Sequence, residues 1–209
     1  MVEKEFYERY WKGELPKMLL FGETPRWEDK WLKRYSIFVN KWLKPEDKLM
    51  DYGCGEGHFI DYLQRLKNSC GVDISDEAIA RAKLLYPYSK FFTLEEELIT
   101  DFDVITCFDV MEHIFDFDEV FDYINAHLKP GGKFIIATNE MCFLKMVAIG
   151  LFYMDTFFHW SSPHIRFFTK RTLREMLQYH GYEVIHYERV ANHFGFLSTG
   201  QFVVAQKVR

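Results

Sequence analysis

Cysteine is scarce in this sequence: Cys54, Cys70, Cys107 and Cys142 are spread over 209 residues with no CxxC pair among them. That spacing offers neither a zinc knuckle nor a disulfide framework, so the four read as reduced, small core residues and no metal is expected. Basic excess is missing too. A formal net charge of −5 gives no general attraction to nucleic acid, and none is expected as substrate or partner. No apolar run approaches the roughly 20 residues that a bilayer-spanning helix needs. The first residues, MVEKEFYERYW, put charges and aromatics where a secretory signal needs an apolar stretch, so a cytoplasmic protein is expected. Repeats, low-complexity tracts and linkers are absent, and the length suits one domain over residues 1–209. The excess is aromatic: 18% of the chain, with 21 Phe and 12 Tyr, against an ordinary hydrophobic share of 48%.

The chain is organised around residues 49–59, LMDYGCGEGHF. A short apolar run ends in Asp51, three glycines follow at alternate positions, and a helical pattern begins, which reads as strand, tight turn and helix. Glycine there permits positive φ and leaves no Cβ in the way of a flat ligand. The charges exclude a phosphate cradle, which wants Lys beside Ser or Thr, whereas this turn carries Asp51 and Glu56. A second short strand, NSCGVDIS, ends in Asp73, placed to accept two hydrogen bonds from a ribose diol. The implied ligand combines a ribose with a cationic group, as S-adenosylmethionine does.

With DVITCFDVMEHI at 103–114 and LKPGG at 128–132, these motifs form an ordered set that resembles the class I S-adenosylmethionine-dependent methyltransferases, in the small-molecule branch that includes the quinone-biosynthesis O-methyltransferases. The resemblance covers roughly residue 47 onward. It implies an α/β, Rossmann-like, doubly wound sheet of seven mostly parallel strands with one antiparallel member and helices on both faces. It also implies S-adenosylmethionine as cofactor, held by the turn Asp51, Gly53, Cys54 and Gly55, with Asp73 on the ribose and Ile74 on the adenine face. Leu94 and Glu95 follow the third strand as adenine contacts, and Phe108 and Asp109 end the fourth strand beside the methionine part.

The remaining segments carry the acceptor chemistry. Residues 1–45 read as an N-terminal helical cap, in which Trp11 and Trp27 are candidates to fold over the ligands. LKPGG reads as a turn in which Pro130 stops a helix running from MEHI to about His127. Residues 141–168 form an aromatic insertion, with Phe158, His159 and Trp160 as candidate substrate contacts. Three roles fit the insertion: a core or dimer-contact helix, a lid over an apolar acceptor, and a less favoured surface element touching membrane lipid. After it, His164, Arg166, Phe168 and Thr169 match an H-x-R-x-F-T pattern of the same branch, whose histidine approaches the acceptor. His164 is therefore the leading candidate for general base or substrate orienter, with His113 and His159 as alternatives.

The expected activity is methyl transfer to a small, apolar or aromatic acceptor, with oxygen favoured, by a monomer or homodimer. A non-catalytic cofactor-binding or interaction module of the same fold is the alternative. A nicotinamide oxidoreductase is disfavoured because Gly57 follows Gly55 by two residues where the dinucleotide fingerprint wants three.

Overall fold

The computed structural model describes residues 2–15, 25–63, 68–96, 98, 101–158, 164–191 and 198–208. Seven strands, β1 (Leu49–Tyr52), β2 (Ser69–Asp73), β3 (Phe91–Thr93), β4 (Phe102–Phe108), β5 (Leu128–Thr138), β6 (Tyr182–Ala191) and β7 (Ser198–Lys207), lie in the order β3-β2-β1-β4-β5-β7-β6. The first five run parallel, and β7 pairs antiparallel with both β5 and β6. This is the expected doubly wound sheet. The strand order reverses at β1, so the crevice between the carboxyl ends of β1 and β4 is where such a sheet receives its ligand.

The strands are continuous apolar runs because both faces of the sheet are covered. Met50, Ile105, Cys107, Phe134, Ile136, Val203 and Ala205 face one core, closed by α5 (Phe117–His127) and α8 (Lys170–Tyr179). Their neighbours in sequence, Leu49, Val104, Ile135, Ala137, Phe202 and Val204, face the other. That side is closed by α2 (Pro25–Val39), α3 (His58–Tyr62) and α4 (Asp76–Leu85). The remaining helices are α1 (Val2–Trp11), α6 (Phe143–Ala148) and α7 (Met154–Phe157), with a π-helical turn over Ile149–Tyr153 between the last two.

Two boundaries differ from the sequence expectation. MEHI does not open the long helix: Met111–His113 is a single 3-10 turn, and Asp116 then caps α5 by accepting from the backbone N–H of Asp118 (3.0 Å) and Glu119 (3.3 Å). Asp116 is therefore a cap rather than a freely solvated charge. LKPGG is not a free turn either. Leu128 already pairs with Phe102, and the pairing resumes at Lys133 opposite Val104, so the proline and glycines form a bulge within β5. Pro130 is tolerated because a bulge needs no ladder N–H there.

Candidate active site

Asp51 is the last but one residue of β1, with 4% of its surface exposed, and Asp73 ends β2 with 8%. Thr106 Oγ1, on β4, donates to Asp51 Oδ1 at 2.6 Å. Burial nevertheless pushes the Asp51 carboxyl up to about 7. Asp73 accepts from the backbone N–H of Gly55 (2.9 Å) and Ser75 (3.0 Å). Burial raises its proton affinity, and those backbone donors oppose the rise. Among the described residues neither carboxylate has a Lys or Arg partner. Two buried acids without cations at adjoining strand ends suit a ligand that is itself cationic and rich in hydroxyls.

The glycines of the turn do something other than leave room for a ligand. Gly53 has φ +76°, and a Cβ there would lie 2.3 Å from Val110 Cγ2. At Gly55, φ +52°, a Cβ would lie 3.0 Å from Trp11 Cζ2. The space is filled by the chain's own side chains, so the turn is packed tightly between the segment after β4 and helix α1.

Helix α1 is docked across the mouth of this site. Glu8 accepts from Ser75 Oγ (2.9 Å) and from the backbone N–H of Asp76 and Glu77 at the start of α4. Lys4 bridges Asp76 (3.2 Å) and Glu95 (2.9 Å). Trp11, on the same helix, lies against Gly55 of the glycine turn. Tyr7, with its ring edge-on to His113 at 6.2 Å, is the α1 ring nearest the histidines. Ile74 is half-buried beside Asp73, and Leu94 donates its N–H to the Asp73 carbonyl at 3.3 Å. Both therefore lie at the β2 end as expected, whereas Glu95 is exposed and engaged by Lys4.

At the end of β4, Phe108 packs on Tyr35 and Phe59, and Asp109 turns with φ +54°. Its carboxylate accepts from the buried Tyr35 hydroxyl. Glu112, 2% exposed, follows in the 3-10 turn and accepts from Thr138 Oγ1 (2.7 Å) and Asn139 Nδ2 (3.1 Å). The sequence reading gave no role to Tyr35 or Glu112, and Cys54 packs against Gly71 of β2 rather than facing outward.

His113 and His164 come together, with ring centroids 4.8 Å apart and planes tilted by 40°. The H-x-R-x-F-T segment is tied down for this purpose. The N–H groups of Ile165 and Arg166 both donate to the Glu112 carbonyl (3.0 and 3.1 Å), and the Arg166 guanidinium donates to the carbonyls of Ile114 and Phe115. Burial, then the neighbouring His113, brings the His164 value down to about 4, so its imidazole is neutral at pH 7. Phe158 packs edge-on to Phe157 and Phe167, and about half of its surface is exposed. His159, Trp160 and the Trp27 side chain lie outside the described residues.

Most of the insertion stays off the core. Phe143, Leu144, Leu151, Phe152 and Met154 are all exposed, whereas Met141 and Phe168 at its ends and Ile149 between α6 and α7 are buried. No described helix is long and apolar enough to cross a membrane.

The family of the methyltransferase domain matches residues 8–187, most of the chain, including Asp51, Asp73 and the His113–His164 pair. The chain belongs to this methyltransferase family. A ubiquinone biosynthesis O-methyltransferase from Aeromonas salmonicida is 25% identical over 166 residues, covering 70% of this chain and 69% of that protein. One of the same name from Pseudomonas aeruginosa is 31% identical over 101 residues, and that match spans 44% of each protein. Among solved structures, magnesium protoporphyrin IX methyltransferase from Synechocystis with bound S-adenosylhomocysteine superposes with a TM-score of 0.67 at 15% identity, covering 99% of this chain and 98% of that one. A methyltransferase from Methanosarcina mazei gives 0.62 at 18% identity, with 82% and 97% covered. At these identities the structures establish the fold.

This methyltransferase depends on S-adenosylmethionine, which supplies an activated methyl group on a sulfonium. The residues present fit that cofactor. Asp73 would take the ribose hydroxyls, the uncompensated Asp51 and the Asp109 carboxylate would answer its positive charges, and Ile74 and Leu94 offer apolar contact beside the ribose acid.

Proposed function

We propose that this methyltransferase methylates an oxygen of a small, apolar or aromatic acceptor, delivered between the His113–His164 pair and the aromatic insertion. The observation that carries this reading is the pairing itself: two imidazoles from distant parts of the chain meet just past the end of β4, where the sheet's crevice opens. The relatives named for ubiquinone biosynthesis O-methylation support an oxygen acceptor with an apolar body. Positioning dominates such a reaction, because the leaving group is already activated.

The chain's own groups orient the acceptor hydroxyl and deal with its proton. A histidine held near 4 is neutral at working pH but a poor proton acceptor, since general bases work best with values near the operating pH. His164 therefore orients the hydroxyl rather than carrying its proton alone. The test is a methyl-transfer assay against phenols, catechols, carboxylic acids, amines and thiols. Oxygen acceptors are expected to be turned over. His164→Ala is expected to leave cofactor affinity nearly intact while lowering turnover about a hundredfold. Methylation confined to amines or thiols, or full turnover in the variant, would remove this reading.

A further inference from the structure

We propose that Glu112, His113 and His164 form a seat for one divalent first-row transition-metal ion, which orients and activates the acceptor oxygen. The ion's role rests on the function proposed above, whereas the site itself stands on geometry. One ligand atom from each of the three side chains lies within 4.8 Å of the other two, so two imidazole nitrogens and a carboxylate oxygen converge from one 3-10 turn and one extended segment. Metal–nitrogen and metal–oxygen bonds of about 2.0–2.2 Å put neighbouring donors roughly 3–3.5 Å apart, so the three must draw together by up to about 1.3–1.8 Å. The Ile165 and Arg166 bonds to the Glu112 carbonyl hold the backbone, so that closure falls to side-chain torsions.

The surroundings are those of a metal centre. Thr138 and Asn139 each donate to a Glu112 oxygen, which fixes the carboxylate's orientation while leaving further lone pairs on both oxygens. Glu112 is buried and, among the described residues, forms no ion pair, although the partly buried Lys145 ammonium acts on it at longer range. The backbone bonds from Ile165 and Arg166 to the Glu112 carbonyl lock the two halves of the cluster in register.

Two histidines and one carboxylate leave coordination positions open, the arrangement seen where a metal must also hold a substrate. An acceptor hydroxyl bound there loses its proton more readily to bulk water. Its oxygen keeps the electron pair and is held as the nucleophile, next to the turn that Val110 packs against Gly53.

Cobalt(II) is the probe. The full-length chain is stripped with chelator and titrated with cobalt(II), and binding is followed by visible absorption and by metal content. One equivalent per chain is expected, with His164→Ala binding roughly a hundredfold more weakly. Glu112→Gln is a poorer test, because it disturbs the Thr138 and Asn139 bonds and can fail to fold, so His164→Ala carries the result. Absence of a stoichiometric site, or equal affinity in His164→Ala, overturns the proposal. Calorimetry with S-adenosylmethionine on the stripped chain separates the two readings. A chain that binds S-adenosylmethionine but takes up no cobalt sinks the metal seat and leaves methyl transfer standing, whereas cobalt bound with no acceptor of any kind methylated sinks the oxygen-acceptor reading and not the seat. Equal turnover of an oxygen acceptor by stripped and metal-loaded chain would overturn the ion's role.

Discussion

At the end of β1, folding makes Asp51 hold its proton more tightly, from an ordinary 3.8 to about 7. The folded value is the raised one, so the stability that Asp51 contributes falls as pH rises from about 4 to about 7 and is level above that. A rise of roughly three units corresponds to about 4 kcal/mol, an upper order of magnitude for a single buried carboxylate. Asp51→Asn, whose amide oxygen can still accept from Thr106, should stabilise the ligand-free chain at pH 8 and change it little at pH 4. Urea unfolding at the two pH values checks this, and equal differences at both would show that Asp51 is not desolvated as described. Asp73→Ala is the partner experiment. Removing the acceptor of two ribose hydrogen bonds should weaken S-adenosylmethionine binding by about 2–4 kcal/mol in calorimetry. Both acids were legible because each closes an apolar run before a turn. Tyr35 and Glu112 were not, because Tyr35 meets Asp109 across 74 residues, and the Thr138 and Asn139 partners of Glu112 lie 26 and 27 residues away.

Helix α4 shows the same limit at the scale of an element. Ser75 is its N-cap, with its Oγ accepting from the Ala78 N–H at 3.2 Å. Ala78, however, cannot return the capping-box bond that a Glu or Gln would make. Asp73 takes the Ser75 N–H that a capping-box residue would take, and Glu8 adds a second carboxylate from α1, 67 residues away, accepting from the Ser75 hydroxyl together with the N–H groups of Asp76 and Glu77. A carboxylate at a helix N-terminus is readable from sequence only when it lies within a few residues. Ser75→Ala removes a fully buried cap and one of Glu8's partners, and should cost about 1–2 kcal/mol in denaturant unfolding. It should also raise amide exchange in α1, since Glu8 is part of what docks that helix. A loss of stability with α1 exchange unchanged would mean that α1 is held by Trp11 and Lys4 instead. The aromatic insertion was legible as an apolar run, but its exposure was not, because composition is the same for a packed helix and a bare one.

The whole molecule couples these parts, since the cofactor site is assembled from the ends of β1, β2 and β4 and covered by α1. The sheet itself was the most legible level: runs buried on both faces stand out as continuous apolar stretches, and the glycine turn, Asp73 and LKPGG pointed to the mostly parallel seven-stranded sheet with one antiparallel member. What sequence alone left open is which surfaces close on one another, because Trp11 on Gly55, Tyr7 by His113 and Glu8 on α4 are all contacts between distant segments. A cofactor binding beneath α1 must therefore stabilise that helix and the sheet together. At a hundred times its dissociation constant, a ligand of the folded state alone adds about 2.7 kcal/mol. For a chain of this length each kcal/mol moves the midpoint by about 2–4 °C, so S-adenosylmethionine should raise it by about 5–10 °C. In the same samples, amide exchange should slow in α1 as well as at the three strand ends, and more than in α8, which packs on the opposite side of the sheet from α2, α3 and α4. Slowing confined to the strand ends, with α1 unchanged, would mean that the helix rests on the turn without closing on the cofactor.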